Sequence, residues 1–478
     1  MSTIPHLPAL RWGRAYESLD QVEVKDIRTG EVLARVSHVN AGIVRRDLQR
    51  ATEAAAALRK LPAARLLEVC AAAAERFLND TLPLGVGGAT QSPAQYIQTL
   101  SRTSGLPHVL IRRNMERIHT ALSQMSAVLR GLSRGLELSV LDSGWGEQNG
   151  ARVSFAPTAH ALGVVMPSNS PAVNALWLPA IALKTPVALK PGREEPWTPW
   201  RLIQAFIAAG VPPEAFGFYP TDHEGAAAIL AGCGRALLFG DQSTTAQYAH
   251  NPAIQIHGPG WSKILIGNDC IEHWREFLDV MVSSVVENGG RSCLNASAIV
   301  VPRYAPEIAD ALAQRLAAIE PTRPDDPNAR LAAFANPKMA DAIDAQIEAG
   351  LQTPGAVDAT AHYRRGPRKV LFEGAVFLKP TIVHCASFEH PLANREFLFP
   401  YASVVEVPQA EMLRRIGPTL VCTAITRDAA FIEQLMACPH IDRLNIGPVP
   451  TMKISWDQPH EGNLFELLWR RRSFERGW

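Results

Sequence analysis

A chain of 478 residues is past the size at which one hydrophobic core stops growing, so two or three domains are expected. Its 47 Lys and Arg against 46 Asp and Glu give a net charge of +1, which argues against a globally basic surface for a nucleic-acid backbone. With 47% hydrophobic and 19% charged residues, the composition excludes a disordered chain.

Seven cysteines without CxxC spacing argue against a complete disulfide framework and fit a reducing compartment. The opening MSTIPHLPALRWGRAY lacks the basic-then-apolar order of a signal peptide, and charges or prolines interrupt every apolar run of spanning length. A cytoplasmic protein without a transmembrane segment is the expectation.

In chain order, KDIRTGEVLARV reads as a hairpin around a Gly turn, and residues 42–77 carry Ala, Leu and Arg at helical spacing. A second helical stretch covers about 96–137, and the alternation in LELSVLDSGW predicts a strand or hairpin excursion. From 156 onward, short apolar segments alternate with helices: HALGVVMPSNSP, TPVALKP, a helix near 198–209, AFGFYP, a helix from about 223, and ALLFG. That repetition is the sequence form of parallel strands joined by crossover helices, and an open α/β sheet places its ligand at the strand-end loops, here Asn169, Lys190 and 239–242. No GxGxxG fingerprint is present.

A second α/β pattern follows HGPGWSKILIG: a helix over about 271–288, the GGRSCLNAS turn, the strand SAIVVP, and a helix over about 305–319. Residues 321–350 read as loop with short helices. KVLFEGAVFLKPTIVH, YASVVEVP and TLVCTAI read as further strands of one second sheet. The closing WDQPHEGNLFELLWRRRSFERGW is too apolar for a solvated tail, so docking on the body or on a second subunit is expected.

Cys293 follows two glycines at the mouth of an apolar strand. Tight backbone approach and nearby N–H groups there suit a thiolate nucleophile and an oxyanion, although a buried cysteine without chemistry is equally physical. Asn169 lies in MPSNSP, where flanking prolines restrict the loop; its amide can donate to an oxyanion or bond its own backbone.

Taken in order, PSNSP, VALKPGREEPWTP, AAGVPPEAF, LLFGDQST, HGPGWSK, GGRSCLNAS and NREFLFP resemble the aldehyde dehydrogenase superfamily over nearly the whole chain. The resemblance implies an α/β fold with a Rossmann-like nicotinamide-cofactor domain (1–134 and 156–256), a catalytic domain (257–450) and oligomerisation elements (135–155 and 451–478). It implies Cys293 as the catalytic thiol, Asn169 with the Cys293 N–H as the oxyanion hole, and Lys190 and Glu396 as holders of the cofactor riboses. Gln242 stands near the cofactor pyrophosphate, where the family usually has a small residue, and Asp241 stands at a usual Gly, where a carboxylate facing phosphate would repel it.

Two departures inform the reaction. Arg193 stands where NAD-preferring relatives place Glu; arginine cannot accept ribose hydroxyls but can pair with a 2′-phosphate, which favours NADP over NAD unless Arg193 pairs with Glu194 or Glu195. His257 replaces the glutamate that activates hydrolytic water, and HGPG resembles the GPGN of CoA-acylating relatives. That favours an acyl-CoA reductase interconverting acyl-CoA and aldehyde, with CoA as co-substrate. The alternatives are oxidation of an aldehyde to a carboxylate, with His257 as general base, and a non-catalytic oligomeric scaffold. Trp456, His460, Glu461 and Phe465 either line a substrate entrance or lock the C-terminal turn. His160, His384, His390 and His460 share no metal-binding spacing, so no metal is expected. A homodimer or homotetramer is implied.

Overall fold

The computed structural model describes residues 4–477, which form two compact units. The first contains the chain up to Thr103, Ile111–His257 and the stretch from Ser455; the second contains Ser104–Leu110 and Gly258–Ile454.

The first unit is built on five parallel strands in the order Ile254–His257, Gly234–Phe239, Ala161–Val165, Val187–Lys190 and Phe216–Phe218. Ala9–Arg11 and Arg14–Tyr16 extend the sheet antiparallel. ALGVV is buried at every position, as a strand covered on both faces requires. A Cβ on Gly163 would stand 2.9 Å from Ile229 Cγ2 and 3.1 Å from its carbonyl oxygen, so this glycine lets the His223–Gly232 helix lie directly on the strand.

The 42–77 pattern resolves into three helices, Ala41–Leu48, Ala51–Arg59 and Ala63–Asn79, and the hairpin forms from Gln21–Lys25 and Val32–Ser37. LELSVLDSGW is not a strand throughout. Val140–Ser143 is a helical turn that Gly144, at φ 79°, terminates, and the strand starts only at Trp145. Leu136, Val140 and Leu141 are the buried residues; the adjacent burial of Val140 and Leu141 breaks the period of two that a strand requires.

Trp145–Gln148, Ala151–Pro157 and Trp469–Arg471 form a separate antiparallel sheet. The C-terminal run therefore docks on its own unit. Trp469 is buried and donates from Nε1 to the Leu183 carbonyl at 3.0 Å.

Beneath the loop after Val187–Lys190, the carboxylate of Glu195 is fully enclosed. Its Oε1 accepts from Thr198 N at 2.8 Å and Thr198 Oγ1 at 2.5 Å, and the Tyr96 hydroxyl lies 2.6 Å from Thr198 Oγ1. Burial pushes the Glu195 carboxyl from 4.5 up to about 8. A raised carboxyl favours folding while it is protonated, so that contribution is complete below pH 4.5 and is lost as pH rises to 8. Glu195→Gln, which keeps an acceptor without the charge, should gain on the wild type by up to about 1.4 kcal/mol per pH unit across this window. Urea unfolding at stepped pH reads this directly, and parallel curves would contradict it.

The second unit carries a seven-stranded sheet in the order Ala356–Asp358, Thr381–Cys385, Tyr401–Glu406, Ala298–Val301, Lys263–Ile266, Thr419–Ile425 and Ile441–Ile446. Only Ala356–Asp358 runs antiparallel. Leu278–Val286 and Ala305–Ala317 pack in one apolar cluster of this unit, and Pro337–Leu351 packs in another.

Two expectations differ here. Within 321–350 lies a long helix, Pro337–Leu351, started by the Asn336 side chain accepting from Lys338 N and anchored by Ala340, Ile343 and Ile347. Lys369–Phe372 and Ala375–Leu378 form their own hairpin rather than joining the large sheet. Glu373 and Gly374 both have positive φ, the turn that closes two strands on each other.

Among the described residues no helix is long and apolar enough to cross a membrane.

Candidate functional site

In the first unit, parallel pairing aligns Val165 with Lys190 and Leu238, and Phe239 with His257. The ends of these strands thus share one edge, where open α/β sheets bind ligands. Asn169 lies in the loop after Ala161–Val165, Lys190 ends its strand, Arg193 follows it, Gln242 follows Gly234–Phe239, and His257 ends the last strand. The sequence-derived residues of this unit are therefore gathered on one edge by register alone.

The loops are pinned to each other. A Cβ on Gly192 would meet Ser168 Oγ at 2.4 Å and the Pro167 carbonyl at 2.5 Å, and Glu194 N donates to Ser168 Oγ at 3.3 Å. Ser170 Oγ donates to Asn114 Oδ1 at 3.0 Å, fixing the far end of the Asn169 loop.

Lys190 is largely buried. Burial pushes its ammonium pKa down, and among the described residues its one hydrogen bond is to the adjacent Pro191 carbonyl at 3.3 Å. An enclosed cation with donors to spare has the chemistry to bind hydroxyl oxygens such as those of a cofactor ribose. Arg193 is exposed and makes no ion pair among the described residues; Glu195 is instead taken by Thr198. Asp241 caps the short Gln242–Thr245 helix. Its Oδ1 accepts from Thr244 N and Ser243 Oγ, both at 2.8 Å, and these bonds hold its carboxyl below the usual range. Gln242 is exposed beside it.

His257 is buried. Its ring stacks on Phe239 with centroids 4.4 Å apart and planes 12° apart. Nδ1 lies 2.5 Å from Glu461 Oε2, and Nε2 lies 3.0 Å from the Gln255 amide nitrogen. His460 completes the group, 4.0 Å from the Glu461 carboxylate. Sequence spacing missed this cluster: Gln255 is two positions back on the same strand, a detectable signal, whereas Glu461 is 204 residues away. The donor atoms of His257, His460 and Glu461 lie within 4.8 Å of one another, the one such group among the described residues. Yet the two imidazole planes are nearly parallel, at 14°, and Nδ1 of His257 is already engaged by the carboxylate.

In the second unit, the helix Leu278–Val286 runs into a turn where Asn288, Gly289 and Gly290 all have positive φ. Asn295 Nδ2 donates to the carbonyls of Ser284, Val285 and Glu287 at 3.0–3.3 Å, while its Oδ1 accepts from Ser292 N at 2.9 Å. The guanidinium of Arg291 binds the carbonyls of Ser104 and Ala333. These contacts hold half-buried Cys293 on a rigid turn.

The Gly260–Ser262 segment presses against this turn. Ser262 Oγ donates to the Cys293 carbonyl at 2.8 Å, and a Cβ on Gly260 would stand 2.1 Å from that oxygen. Trp261, at φ 43°, donates its N–H to Glu396 Oε2 at 2.7 Å, and its carbonyl accepts from Lys263 Nζ at 2.6 Å. Burial pushes Lys263 down to about 7. Cys293 and Glu396 are thus joined through one short segment, a link that spacing along the chain does not reveal.

The described residues from 14 to 416 match the family described as the aldehyde dehydrogenase family. A Staphylococcus haemolyticus protein assigned as an aldehyde dehydrogenase is 24% identical over 257 residues, 51% of this chain and 52% of that protein, so the chain spans about half the length of the curated relative it matches. Among solved structures, the aldehyde dehydrogenase KauB of Pseudomonas aeruginosa has a TM-score of 0.78 at 16% identity, covering 98% of this chain and 96% of its own. An indole-3-acetaldehyde dehydrogenase in complex with NAD+ has a TM-score of 0.78 at 16% identity, with 99% and 97% covered. A 3,6-anhydro-L-galactose dehydrogenase in complex with NADP has a TM-score of 0.77 at 16% identity, with 98% and 99% covered. At these identities the structural likeness shows the fold.

Proposed function

The chain belongs to the aldehyde dehydrogenase family, and from that premise we propose that it oxidises an aldehyde to a carboxylic acid with a nicotinamide cofactor, through a thioester on Cys293 that water cleaves. The observation that carries this reading is the buried His257–Glu461 hydrogen bond of 2.5 Å. The residue standing where the resemblance places a water-activating carboxylate is an imidazole with its own carboxylate partner, the composition of a general base. The proteins it resembles are named as dehydrogenases, two of them bound to NAD+ or NADP.

In this reading the Cys293 thiolate adds to the aldehyde carbon, and the Asn169 amide with the Cys293 N–H stabilises the oxyanion. The nicotinamide, when bound, accepts the hydride leaving that carbon. Lys190 and Glu396 hold ribose hydroxyls, Gln242 lies along the pyrophosphate path, and exposed Arg193 pairs with a 2′-phosphate, favouring NADP. His257 then takes a proton from the water that attacks the thioester. The two-stranded excursion and C-terminal arm join subunits of a homodimer or homotetramer, and seven free cysteines suit a reducing cytoplasm.

The competing reading, exchange of the acyl group with CoA, rests on the missing glutamate at 257. Incubation with an aldehyde and NADP or NAD, with and without CoA, followed by separation of products, decides between them. Carboxylate at equal rate in both arms, faster with NADP, is expected. Acyl-CoA formed only when CoA is present would establish the other reaction.

A further inference from the structure

We infer that Glu461 is a positioning residue that, with Gln255, holds His257 as an imidazole protonated on Nδ1 with its lone pair on Nε2, so that water activation falls to a histidine–glutamate pair. This rests on the hydrolytic reading above.

The hydrogen-bond pattern sets the tautomer. Glu461 accepts at Nδ1, 2.5 Å away, and the Gln255 amide N–H₂ donates toward Nε2 at 3.0 Å. A carboxylate can only accept, so the ring proton belongs on Nδ1 and the basic lone pair on Nε2. The ring plane is set by Phe239, stacked 12° from parallel. When Nε2 gains a proton, rotation of the Gln255 amide about its soft terminal torsion presents its oxygen instead, so one residue partners both protonation states.

The two side chains are enclosed together: that of His257 is 3% exposed and that of Glu461 12%. The backbone is shaped for this contact. Glu461 itself adopts φ 48°, a left-handed conformation that a non-glycine residue rarely takes. At Gly462, φ 116°, a Cβ would come within 2.7 Å of the Gln255 amide oxygen. Glycine at 462 therefore leaves room for Gln255, while the turn at 461 delivers the carboxylate.

In the step itself, the water O–H bond breaks and its proton goes to His257 Nε2, water displacing the Gln255 amide. The oxygen bonds to the thioester carbon, the C–S bond breaks, and the carboxylic acid leaves with Cys293 restored as thiolate. The imidazolium charge is balanced by Glu461 until the proton returns to solvent.

Rapid-mixing measurement of cofactor reduction tests this. In Glu461→Gln, acylation and hydride transfer should survive as a burst near one reduced cofactor per site, with steady turnover to carboxylate reduced on the order of 10²-fold. Hydroxylamine, which cleaves the acyl-enzyme without a base, should restore cofactor reduction to near the wild-type rate, and Glu461→Asp should recover part of the turnover. Turnover of Glu461→Gln within about two-fold of wild type would overturn the inference and leave hydrolysis standing. Loss of burst and turnover together in both variants, unrelieved by hydroxylamine, would overturn it as well. Stoichiometric metal in the purified protein, removed by a chelator together with activity, would replace the pair with a metal centre. A wild type that makes no carboxylate without CoA would overturn the hydrolytic reading and this inference with it.

Discussion

Cys293→Ser should lower cofactor reduction on the order of 10⁴-fold while leaving the fold intact. The expectation comes from the thiol's setting rather than from its residue type. Cys70, Cys233, Cys385 and Cys422 are buried, and burial pushes each of their thiols up to about 12, so they remain protonated and inert near neutrality. Cys270 is half-buried, but its thiol is pushed up by burial and by Asp269 at 3.4 Å. Cys293 sits half-buried on a clamped turn preceding a strand. A serine there occupies the same space but supplies an alcohol that stays protonated. Iodoacetamide treatment followed by peptide mass mapping should find inactivation tracking the Cys293 peptide. Inactivation that tracks another cysteine, or near-normal turnover of the serine variant, would remove the nucleophile assignment.

Gly290→Ala should be strongly disruptive in the second unit. Gly290 has φ 69°, and an added Cβ would stand 2.2 Å from the Phe399 carbonyl carbon and 2.3 Å from Pro400 N. Neither neighbour is a flexible side-chain tip, so the turn or the strand entrance must move. The left-handed backbone contributes about 1 kcal/mol and the overpacking about 1–3 more, for a stability loss of roughly 2–4 kcal/mol. Displacement of the Cys293 turn by about 1 Å should also cost on the order of 10²-fold in turnover. Gly30→Ala is the matched control: its φ is 73°, but nothing lies within 4 Å of the new methyl, so only about 1 kcal/mol is expected. Equal shifts of the two urea midpoints would show that the contact with Phe399 and Pro400 does not matter.

The alternation of apolar segments and helices makes the parallel strands of both units legible in the sequence, because a strand covered on both faces is apolar throughout and a crossover helix carries its own period. The gathering of Asn169, Lys190, Arg193, Gln242 and His257 at one sheet edge followed from that pattern, since parallel strands place all their carboxyl ends together. Local spacing failed where long-range packing decided the outcome. LELSVLDS alternates like a strand, yet Val140 and Leu141 bury as a helical turn. KVLFEGAVFL has the character of a sheet strand, but the paired positive φ values at Glu373 and Gly374 close it on itself.

The same division holds for chemistry. By itself the order of residues determined the family, the alternating architecture, the thiol after two glycines and the histidine at 257. The partner of that histidine was a tertiary decision: Glu461 is brought within 2.5 Å of His257 from 204 positions along the chain. Hydrogen bonding depends on distance and direction in space, and a contact between residues so far apart leaves no period, spacing or propensity in the sequence that joins them.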